Sequence, residues 1–411
     1  WMDKYQSLRI WSYQHPNEAL ENEYLARFKG VTTLKTGLYL NPISHGQRSL
    51  QTYELFLVPI PKILRLQDEI WRNSHKITNL IKKLPPVAFT QLFNQTLVAE
   101  IIGTNNIEGV KTTKQEVQTA IASVGKSEEK VRLQSFVRMY FKIKQQEELK
   151  INELADLRKL YDHLLVGEIA TTDLPDGVLF RNSFVRIGND LKTVHVPKSS
   201  EKQFEPDLLN WIRFVNAKSL PSLMKAFVAH YYFEYIHPFK DGNGRFGRYL
   251  TCVYLGHELD PLTAIIFSNE VDHERPKYYK AFIEVEEPKN HGEITFFVHD
   301  MMQILLQGQQ KILTKLEEKW QLLKHGRSQV TKDIDDPLMR KLVFLYLQAA
   351  IFKVANGALK DDEVKHYLKD EVWSKIWLLL DILTKRGILI KTKNAPLMRR
   401  LADNYLDKLL S

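Results

Sequence analysis

The sequence predicts a mainly α protein with one small β hairpin and a C-terminal winged helix-turn-helix. Long stretches place apolar residues at helical spacing, which indicates amphipathic helices. One segment, Leu179–Val196, instead groups β-favouring residues around a Gly/Asn/Asp turn. Residues 327–411 combine three helical stretches with a hairpin pattern, which is the element order of a winged helix-turn-helix.

Helical periodicity predicts helical stretches on both sides of this hairpin. Those before it are Leu64–Lys83, Phe89–Ile102, residues 113–123 and Glu128–Leu164. Thr112 or Thr113 is expected to cap the third of these helices. Those after it are Pro206–Val215, Pro221–Ile236 and residues 294–325. The hairpin is expected to be the clearest β element ahead of the tail. The polar stretch Gly326–Asp335 is the best candidate for a linker.

The tail is predicted to hold three helices and a wing. The helices are Pro337–Ala350, Asp361–Leu368 and Glu371–Arg386, and the wing strands are Ile388–Lys391 and Leu397–Leu401. The apolar residues of the third helix are interpreted mostly as core: Trp373, Ile376, Trp377, Leu380 and Leu383. Arg399-Arg400 is interpreted as a pair that could touch phosphate. The chain therefore divides into a helical region over residues 1–125, a core over 126–326 and a winged-helix domain over 327–411.

Composition and charge exclude several classes of protein. The chain has 411 residues, of which 44% are hydrophobic and 26% charged, so a disordered chain and a disulfide scaffold are excluded. The single cysteine, Cys252, lies in an apolar segment and is interpreted as an inert core thiol. No apolar run approaches the ~18–20 residues that span a bilayer, and no export signal opens the chain. We therefore expect a cytoplasmic protein without a membrane partner.

The net charge of +9 suits nucleic acid or a nucleoside triphosphate equally well.

The segment His237–Arg248, which reads HPFKDGNGRFGR, is more informative. Its three glycines formally match the dinucleotide pattern G-x-G-x-x-G. That pattern requires a preceding strand, whereas the run before it is helical and Pro238 follows. The residues therefore disfavour a dinucleotide site.

The same segment has the features of a phosphate site. Gly242-Asn243-Gly244 forms a loop whose N–H groups can converge on an anion, and a helix restarts near Arg245 with its positive end towards that loop. Arg245 and Arg248 are three residues apart, so they lie on one helix face and can grip successive phosphates. The simpler alternative is a tight turn between two helices with a solvated arginine pair.

Two further residues of the segment suit catalysis at such a site. Asp241 is a hard oxygen ligand, and one carboxylate with substrate phosphates commonly holds Mg²⁺. His237 is the nearby group that titrates near neutrality, so it is the natural general base.

The segment resembles the signature of the Fic family, HPFx[DE]GNGRxxR, at every defined position. The resemblance implies a mostly helical enzyme that uses ATP and Mg²⁺ and transfers AMP to a Ser, Thr or Tyr hydroxyl of a target protein. It implies that His237 deprotonates this hydroxyl and that Asp241 holds Mg²⁺ across the α- and β-phosphates. It also implies phosphate-binding roles: an anion hole from Gly242, Asn243 and Gly244, a β-phosphate contact from Arg245, and a γ-phosphate or loop-stabilising contact from Arg248.

Two other segments fit this family. The hairpin lies where Fic proteins carry a flap that aligns the target by strand addition; its alternative is a purely structural hairpin. The flap residues are Val185, Arg186, Ile187, Val194, His195 and Val196.

Tyr278-Tyr279, after Arg275, resembles the segment that lines adenine and ribose, although two tyrosines on a helix also suit a core.

The segment Thr104–Gly109, which reads TNNIEG, resembles the family's inhibitory motif [ST]xxxE[GN]. Its alternative is a helix end with Gly109 as the C-cap. The resemblance implies that Thr104, Glu108 and Gly109 form an inhibitory helix end. Glu108 would then pair with Arg248 and occupy the guanidinium fork that the γ-phosphate needs.

The resemblance leaves the reaction and the partners open. Relatives of this family also remove AMP or transfer UMP, phosphocholine or phosphate, so removal of AMP and transfer of another group are alternatives. A DNA-binding regulator with a nucleotide-sensing core is a third. Self-modification and a homodimer are possible, and protein contacts are favoured over DNA for the tail because its charges are mixed.

Overall fold

The structure, a computed structural model, describes residues 5–44, 46–84, 86–125, 131–189, 192–218, 220–352 and 357–411. It is mostly helical with small sheets, which confirms the predicted mainly α class. The chain forms two compact units: Trp1–His75 with Thr96–Gln310, and Lys76–Gln95 with Lys311–Ser411. The three-domain division of the sequence remains a prediction.

Most helices belong wholly to the first unit. They are α1 Leu8–Gln14, α2 Leu20–Phe28, α5 Lys114–Ser123, α6 Gln134–Lys144, α7 Leu154–Leu164, α8 Glu201–Asn216, α9 Ser222–Ile236, α10 Asn243–Glu258, α11 Pro261–Ala264, α12 Phe267–His273 and α13 Arg275–Glu286. Three others have residues in both units: α3 Pro61–Lys83, α4 Pro86–Ile107 and α14 Thr295–Asp333. Thr113 caps α5 by accepting a hydrogen bond from the N–H of Glu116, which confirms one of the two predicted caps.

The centre of the first unit is the pair of helices α9 and α10, which pack against each other. Both are buried over most of their length, and a helix that is buried on all sides belongs to a core. Gly247 permits their close approach, since a Cβ there would collide with the Glu234 side chain and lie 3.1 Å from Phe233 Cδ1. Cys252 is buried in α10, where its thiol donates to Glu100, and burial raises its pKa.

The sheets of the first unit are antiparallel pairs. Their strands are β1 Leu34–Leu40, β2 Ile43–Ser44, β3 Gln47–Arg48, β4 Tyr53–Leu57, β5 Ile187–Asn189 and β6 Lys192–His195. The predicted hairpin is therefore present but short, and its turn residue Asp190 lies outside the described residues. The expectation that it is the clearest β element is wrong, because β1 and β4 pair over longer strands.

The helical stretch predicted over Glu128–Leu164 is divided between α6 and α7, and residues 126–130 lie outside the described part. Gln146 breaks the helix with a positive φ of 54°, a backbone conformation that ends α-helices. Its side-chain amide donates to the carbonyls of Gly256 and Leu259 at 3.1 Å each. Tertiary hydrogen bonds thus stabilise a break that the apolar period does not reveal.

The helices of the second unit, besides its parts of α3, α4 and α14, are α15 Pro337–Ile351, α16 Asp361–Tyr367, α17 Trp373–Lys385 and α18 Asp403–Leu410. Its strands β7 Leu359–Lys360, β8 Leu389–Asn394 and β9 Leu397–Leu401 form a sheet in the order β7-β9-β8. Gly387 ends α17 with a positive φ of 71°. The predicted helices and hairpin are thus present, while the winged-helix interpretation remains a prediction.

The predicted linker Gly326–Asp335 is wrong, because α14 continues to Asp333. Leu323 and Val330 are buried, and their spacing of seven residues places them on one helix face. Gly326 lies directly against Leu347 of α15, where an added Cβ would come within 2.5 Å of Leu347 Cδ2. The polar residues of this stretch therefore form the other face of a packed helix.

Some basic residues of the tail have acidic partners. Arg399 is buried and pairs with Asp361, although its Nε has no hydrogen-bond partner among the described residues, and Arg400 pairs with Asp403. That this arginine pair touches phosphate stays a prediction. Trp377 is half exposed and is therefore not the core residue that the sequence suggested.

Candidate active site

The site is built where α9 ends and α10 begins. His237 terminates α9 in the left-handed region, with φ 52°. The buried side chain of Arg181 holds this conformation by donating to the His237 carbonyl at 2.7 Å, and the Arg181 N–H donates to the Pro238 carbonyl at 3.0 Å. The proline after His237 also disfavours continuation of the helix. The catalytic candidate is therefore fixed at a helix end.

The loop after His237 is held by its own side chains. Asn243 bridges both backbone groups of Phe239, accepting from its N–H at 2.9 Å and donating to its carbonyl at 2.8 Å. Gly242 has φ 80° and caps α10, and a Cβ there would lie 2.5 Å from Leu165 Cδ1. Tyr161 donates to the Asp241 carbonyl at 2.9 Å. The first N–H groups of α10 have no intrahelical partner, which makes them available to an anion.

Arg245 is fully buried but only partly paired. Its Nη2 donates to Asp241 Oδ2 at 2.9 Å, and Asp241 Oδ1 accepts from the Gly242 N–H at 2.5 Å. Arg245 Nε and Nη1 are buried without a hydrogen-bond partner in the described part of the chain. Buried guanidinium donors without partners are costly, so this pair of atoms fits an anionic ligand such as a phosphate.

Arg248 is also buried, but its guanidinium is well paired. Its Nε donates to Thr104 Oγ1 at 2.9 Å, and its Nη2 donates to the Thr104 carbonyl at 3.0 Å and to Glu108 Oε1 at 2.7 Å. Glu108 follows the end of α4, and Gly109 ends that helix with φ 72°. Two residues of the predicted inhibitory motif, Thr104 and Glu108, therefore contact this arginine, and Gly109 follows them at the helix end.

Glu108 lies directly over the start of α10. An added Cβ on Gly244 would collide with the Glu108 carboxylate and lie 2.9 Å from Arg248 Nη1. Glycine at position 244 thus leaves the space that the carboxylate occupies. The same space lies beside the anion-binding end of the helix.

One cavity of about 190 Å³ brings several of the candidate residues together, whereas Asp241, Gly242, Asn243 and Arg245 do not line it. His237, Gly244, Arg248 and Glu108 all line it. Burial, together with unfavourable electrostatic interactions from His195 and Arg181, lowers the pKa of His237 to about 3. The imidazole is therefore neutral at physiological pH, whereas a general base works best with a pKa near the operating pH.

The two tyrosines line the same cavity but differ in exposure. Tyr278 is buried and its hydroxyl lies 2.8 Å from His230 Nε2. Tyr279 is half exposed, and its hydroxyl donates to the Ile107 carbonyl of α4 at 3.2 Å. Both are placed to contact a ligand in the cavity, and Tyr279 also contacts the segment that carries Glu108.

The flap residues occupy different positions. Ile187 and His195 are paired across β5 and β6, and both line the cavity. Val185 and Arg186 precede the first strand, and Val196 follows the second. Val194 belongs to β6 by its backbone, while its side chain lies outside what is described.

The metal prediction depends on Asp241 alone. Among the described residues, no group of three or more His, Cys, Asp or Glu side chains could hold a metal ion. The Asp241 carboxylate and the unpaired Arg245 donors nevertheless fit a phosphate-bound Mg²⁺, because that cation commonly takes one carboxylate and several phosphate or water oxygens.

Two residues near the site escaped the sequence analysis. Arg181 supports the His237 loop, and burial lowers its pKa to about 10. Glu234 lies one turn before His237 on α9 and lines the cavity; burial raises its pKa to about 8. Neither residue belongs to the HPFKDGNGRFGR segment. For Glu234, the helical spacing of three residues from His237 is the one sequence signal that could have indicated a place in the site.

Comparisons with known proteins bear on the family and on the fold. Residues 151–255 match the family model described as the Fic/DOC family. A probable protein adenylyltransferase from Aquifex aeolicus is 40% identical over 80 residues, which cover 20% of this chain and 22% of that protein. The match thus spans about a fifth of that relative's length.

Solved structures of Fic proteins are among those similar to this chain. A Fic family protein from Desulfovibrio desulfuricans has a TM-score of 0.52 at 20% identity, covering 84% of this chain and 96% of its own. A Fic domain-containing signalling protein from Bacteroides thetaiotaomicron has a TM-score of 0.44 at 16% identity, covering 62% of this chain and 96% of its own. The first likeness supports the fold.

The helices of the described part of the chain include none with the length and apolar character of a membrane span.

Proposed function

The chain is a Fic-domain protein, and we propose that it is a protein adenylyltransferase held in an inhibited state by Glu108. It would transfer AMP from ATP to a Ser, Thr or Tyr hydroxyl of a target protein or of the chain itself. The observation that carries this proposal is the single cavity lined by His237, Gly244, Arg248 and Glu108.

The reaction needs a base beside the target hydroxyl. His237 is neutral because burial and neighbouring charges lower its pKa to about 3, and its ring lines the cavity. It accepts the hydroxyl proton as the target oxygen attacks the α-phosphorus, and pyrophosphate leaves. The fixed backbone at His237 holds this base in place, which is the main demand of a phosphoryl transfer.

The phosphates need neutralising groups that are already in place. The N–H groups at the start of α10 and the unpaired Nε and Nη1 of Arg245 supply hydrogen bonds to phosphate oxygens. Asp241 would hold Mg²⁺, which when bound neutralises charge on the phosphates. Tyr278 and Tyr279 line the side of the cavity that suits a nucleoside, since aromatic faces stack on bases.

Inhibition follows from the partner of Arg248. Glu108 pairs with Arg248 Nη2 at 2.7 Å. The carboxylate therefore occupies both the hydrogen-bond donor and the space that a γ-phosphate would use. ATP is then bound without the phosphate contact that would place its α-phosphorus for attack. Removing Glu108 leaves Arg248 Nη2 without its carboxylate partner and opens the space over Gly244, while Thr104 still accepts from Nε and Nη2.

The test uses ATP labelled at the α-phosphate and, separately, at the γ-phosphate. The variant E108G with Mg²⁺ is expected to incorporate the α label into protein and not the γ label, and H237A in the same background incorporates neither. Incorporation of the γ label would replace AMP transfer by phosphate transfer. Release of AMP from pre-modified protein by the wild type, without addition by E108G, would favour removal. Mass spectrometry of labelled proteins from a host lysate then identifies the target.

A further inference from the structure

A hydrogen-bonded clamp fixes the base of the flap to the end of the catalytic helix. His195, the last residue of β6, is buried, and its ring bridges two other elements. Its Nδ1 lies 2.8 Å from Glu286 Oε2 at the end of α13, and its Nε2 lies 2.8 Å from the Tyr235 carbonyl in the last turn of α9. One side chain thus joins three elements around the cavity.

The clamp holds its ring firmly. Each ring nitrogen lies within hydrogen-bond distance of an acceptor, and a ring N–H donates to at least one of them. Turning the imidazole would therefore lose a buried hydrogen bond, which is costly. Glu286 is buried as well, and Tyr235 packs against the His195 ring with centroids 5.2 Å apart. The contact reaches a carbonyl only two residues before His237. The flap and the base therefore share a rigid connection.

Neighbouring contacts hold the chain that leaves the flap. Arg48 Nε donates to the Val196 carbonyl at 3.2 Å, and its guanidinium lies 5.0 Å from the centre of the Tyr235 ring. Arg181, which supports His237, also donates to the Lys198 carbonyl at 2.7 Å. Among these contacts, His195 is the one whose side chain belongs to the flap strand itself.

We propose that His195 is a positioning residue that sets the distance between the flap and His237. An extended target segment that adds to the flap takes its position from the strand, and the strand takes its position from the His195–Glu286–Tyr235 clamp. A target hydroxyl is thereby presented to the base. This inference rests on the proposed adenylyltransferase activity.

The test compares H195A with its parent in the E108G background, using α-labelled ATP and self-modification as the reaction. We expect kcat to fall by about 10-fold or more, since a displacement of about 1 Å costs up to ~10²-fold. The KM for ATP should stay within about twofold, because the clamp acts on the target strand. A general loss of structure would instead change both quantities and lower the melting temperature.

Hydrogen exchange of the flap amides tests the clamp independently of activity. Exchange should accelerate in H195A and in E286A, and E286Q should restore the protection that E286A loses, because an amide can serve His195 Nδ1 as acceptor or donor. Unchanged kcat and unchanged flap exchange in H195A would overturn the inference. If the E108G parent transfers AMP neither to itself nor to proteins of a host lysate, the proposed function fails, and the exchange data alone then support or overturn the clamp.

Discussion

Arg245 and Arg248 lie three residues apart on α10 and are both buried, yet their partners differ. Arg248 is paired with Thr104 and Glu108 through Nε and Nη2. Arg245 has one carboxylate partner, Asp241, and two buried donor atoms without a partner among the described residues. Asp241 is itself more exposed than Glu108.

Arg245 has donor atoms available to a ligand, whereas the donors of Arg248 are already paired with Thr104 and Glu108. Unpaired donors in a buried guanidinium are costly to maintain, so their presence at Arg245 indicates an anion-binding role. The paired donors of Arg248 indicate a contact that must be exchanged before a phosphate can bind. The following predictions test this difference, from the largest expected effect to the smallest.

Replacement of the base should cause the largest loss while leaving both arginines in place. H237A in the E108G background is expected to lower AMP transfer by ~10²–10⁴-fold, the range of a general base. The melting temperature should change little, because the imidazole ring lines a cavity. Initial rates with α-labelled ATP measure this. A rate within a few fold of the parent would remove His237 from its assigned role.

Changes at Arg245 test the prepared arginine. R245K keeps the positive charge and loses the forked donors, so transfer in the E108G background should fall by roughly 10²-fold, as for loss of one preorganised donor. ATP titration by calorimetry should show weaker binding. Equal ATP affinity in R245K and its parent would mean that the unpaired donors do not meet phosphate.

Changes at Thr104 test the occupied arginine. T104V removes the hydroxyl that accepts from Arg248 Nε, and a hydrogen bond to a charged group contributes about 1.5–3 kcal/mol. Because Glu108 and the Thr104 carbonyl remain, we expect a modest rise in self-modification, about 3- to 10-fold. T104S keeps the hydroxyl and should raise the rate less. A fall in rate with T104V would show that Thr104 supports the active arrangement.

Glu234 gives the smallest expected effect on AMP transfer, and its effect is on stability. Burial raises its pKa to about 8, so the folded state retains a proton that the unfolded state releases above its ordinary pKa. The stabilisation is complete at low pH and is lost as pH rises through about 8. E234Q should remove this dependence, which at about 1.4 kcal/mol per pH unit is on the order of 4 kcal/mol between about pH 5 and pH 8. Urea unfolding at both pH values measures the free energy of unfolding of each protein. An equal change between the two pH values in E234Q and the wild type would refute the prediction.

Local sequence predicted the parts of the fold that depend on short-range chemistry. The end of α9 follows from Pro238 and the start of α10 from Gly242. The cap of α5 follows from the Thr113 side chain. The break at Gln146 and the continuation of α14 past Gly326 could not be predicted. Both depend on partners distant in sequence, such as the Gly256 carbonyl and Leu347.

The site was predictable only where its residues share one segment or one motif. The approach of Glu108 to Arg248 was expected from the family resemblance, and the structure places the two side chains in contact. Arg181, Glu234 and the partners of His195 were not foreseen. They act through tertiary contacts with carbonyls and buried carboxylates, and no spacing within the sequence indicates such contacts.

The most direct test compares AMP transfer by the wild type, E108Q and E108G under identical ATP and Mg²⁺. Loss of a charged hydrogen bond to Arg248 should raise the rate by about 10- to 100-fold in E108G. E108Q should lie between the two, since it keeps the shape and loses the charge. Equal rates in all three folded proteins would contradict the inhibitory pairing of Glu108 with Arg248.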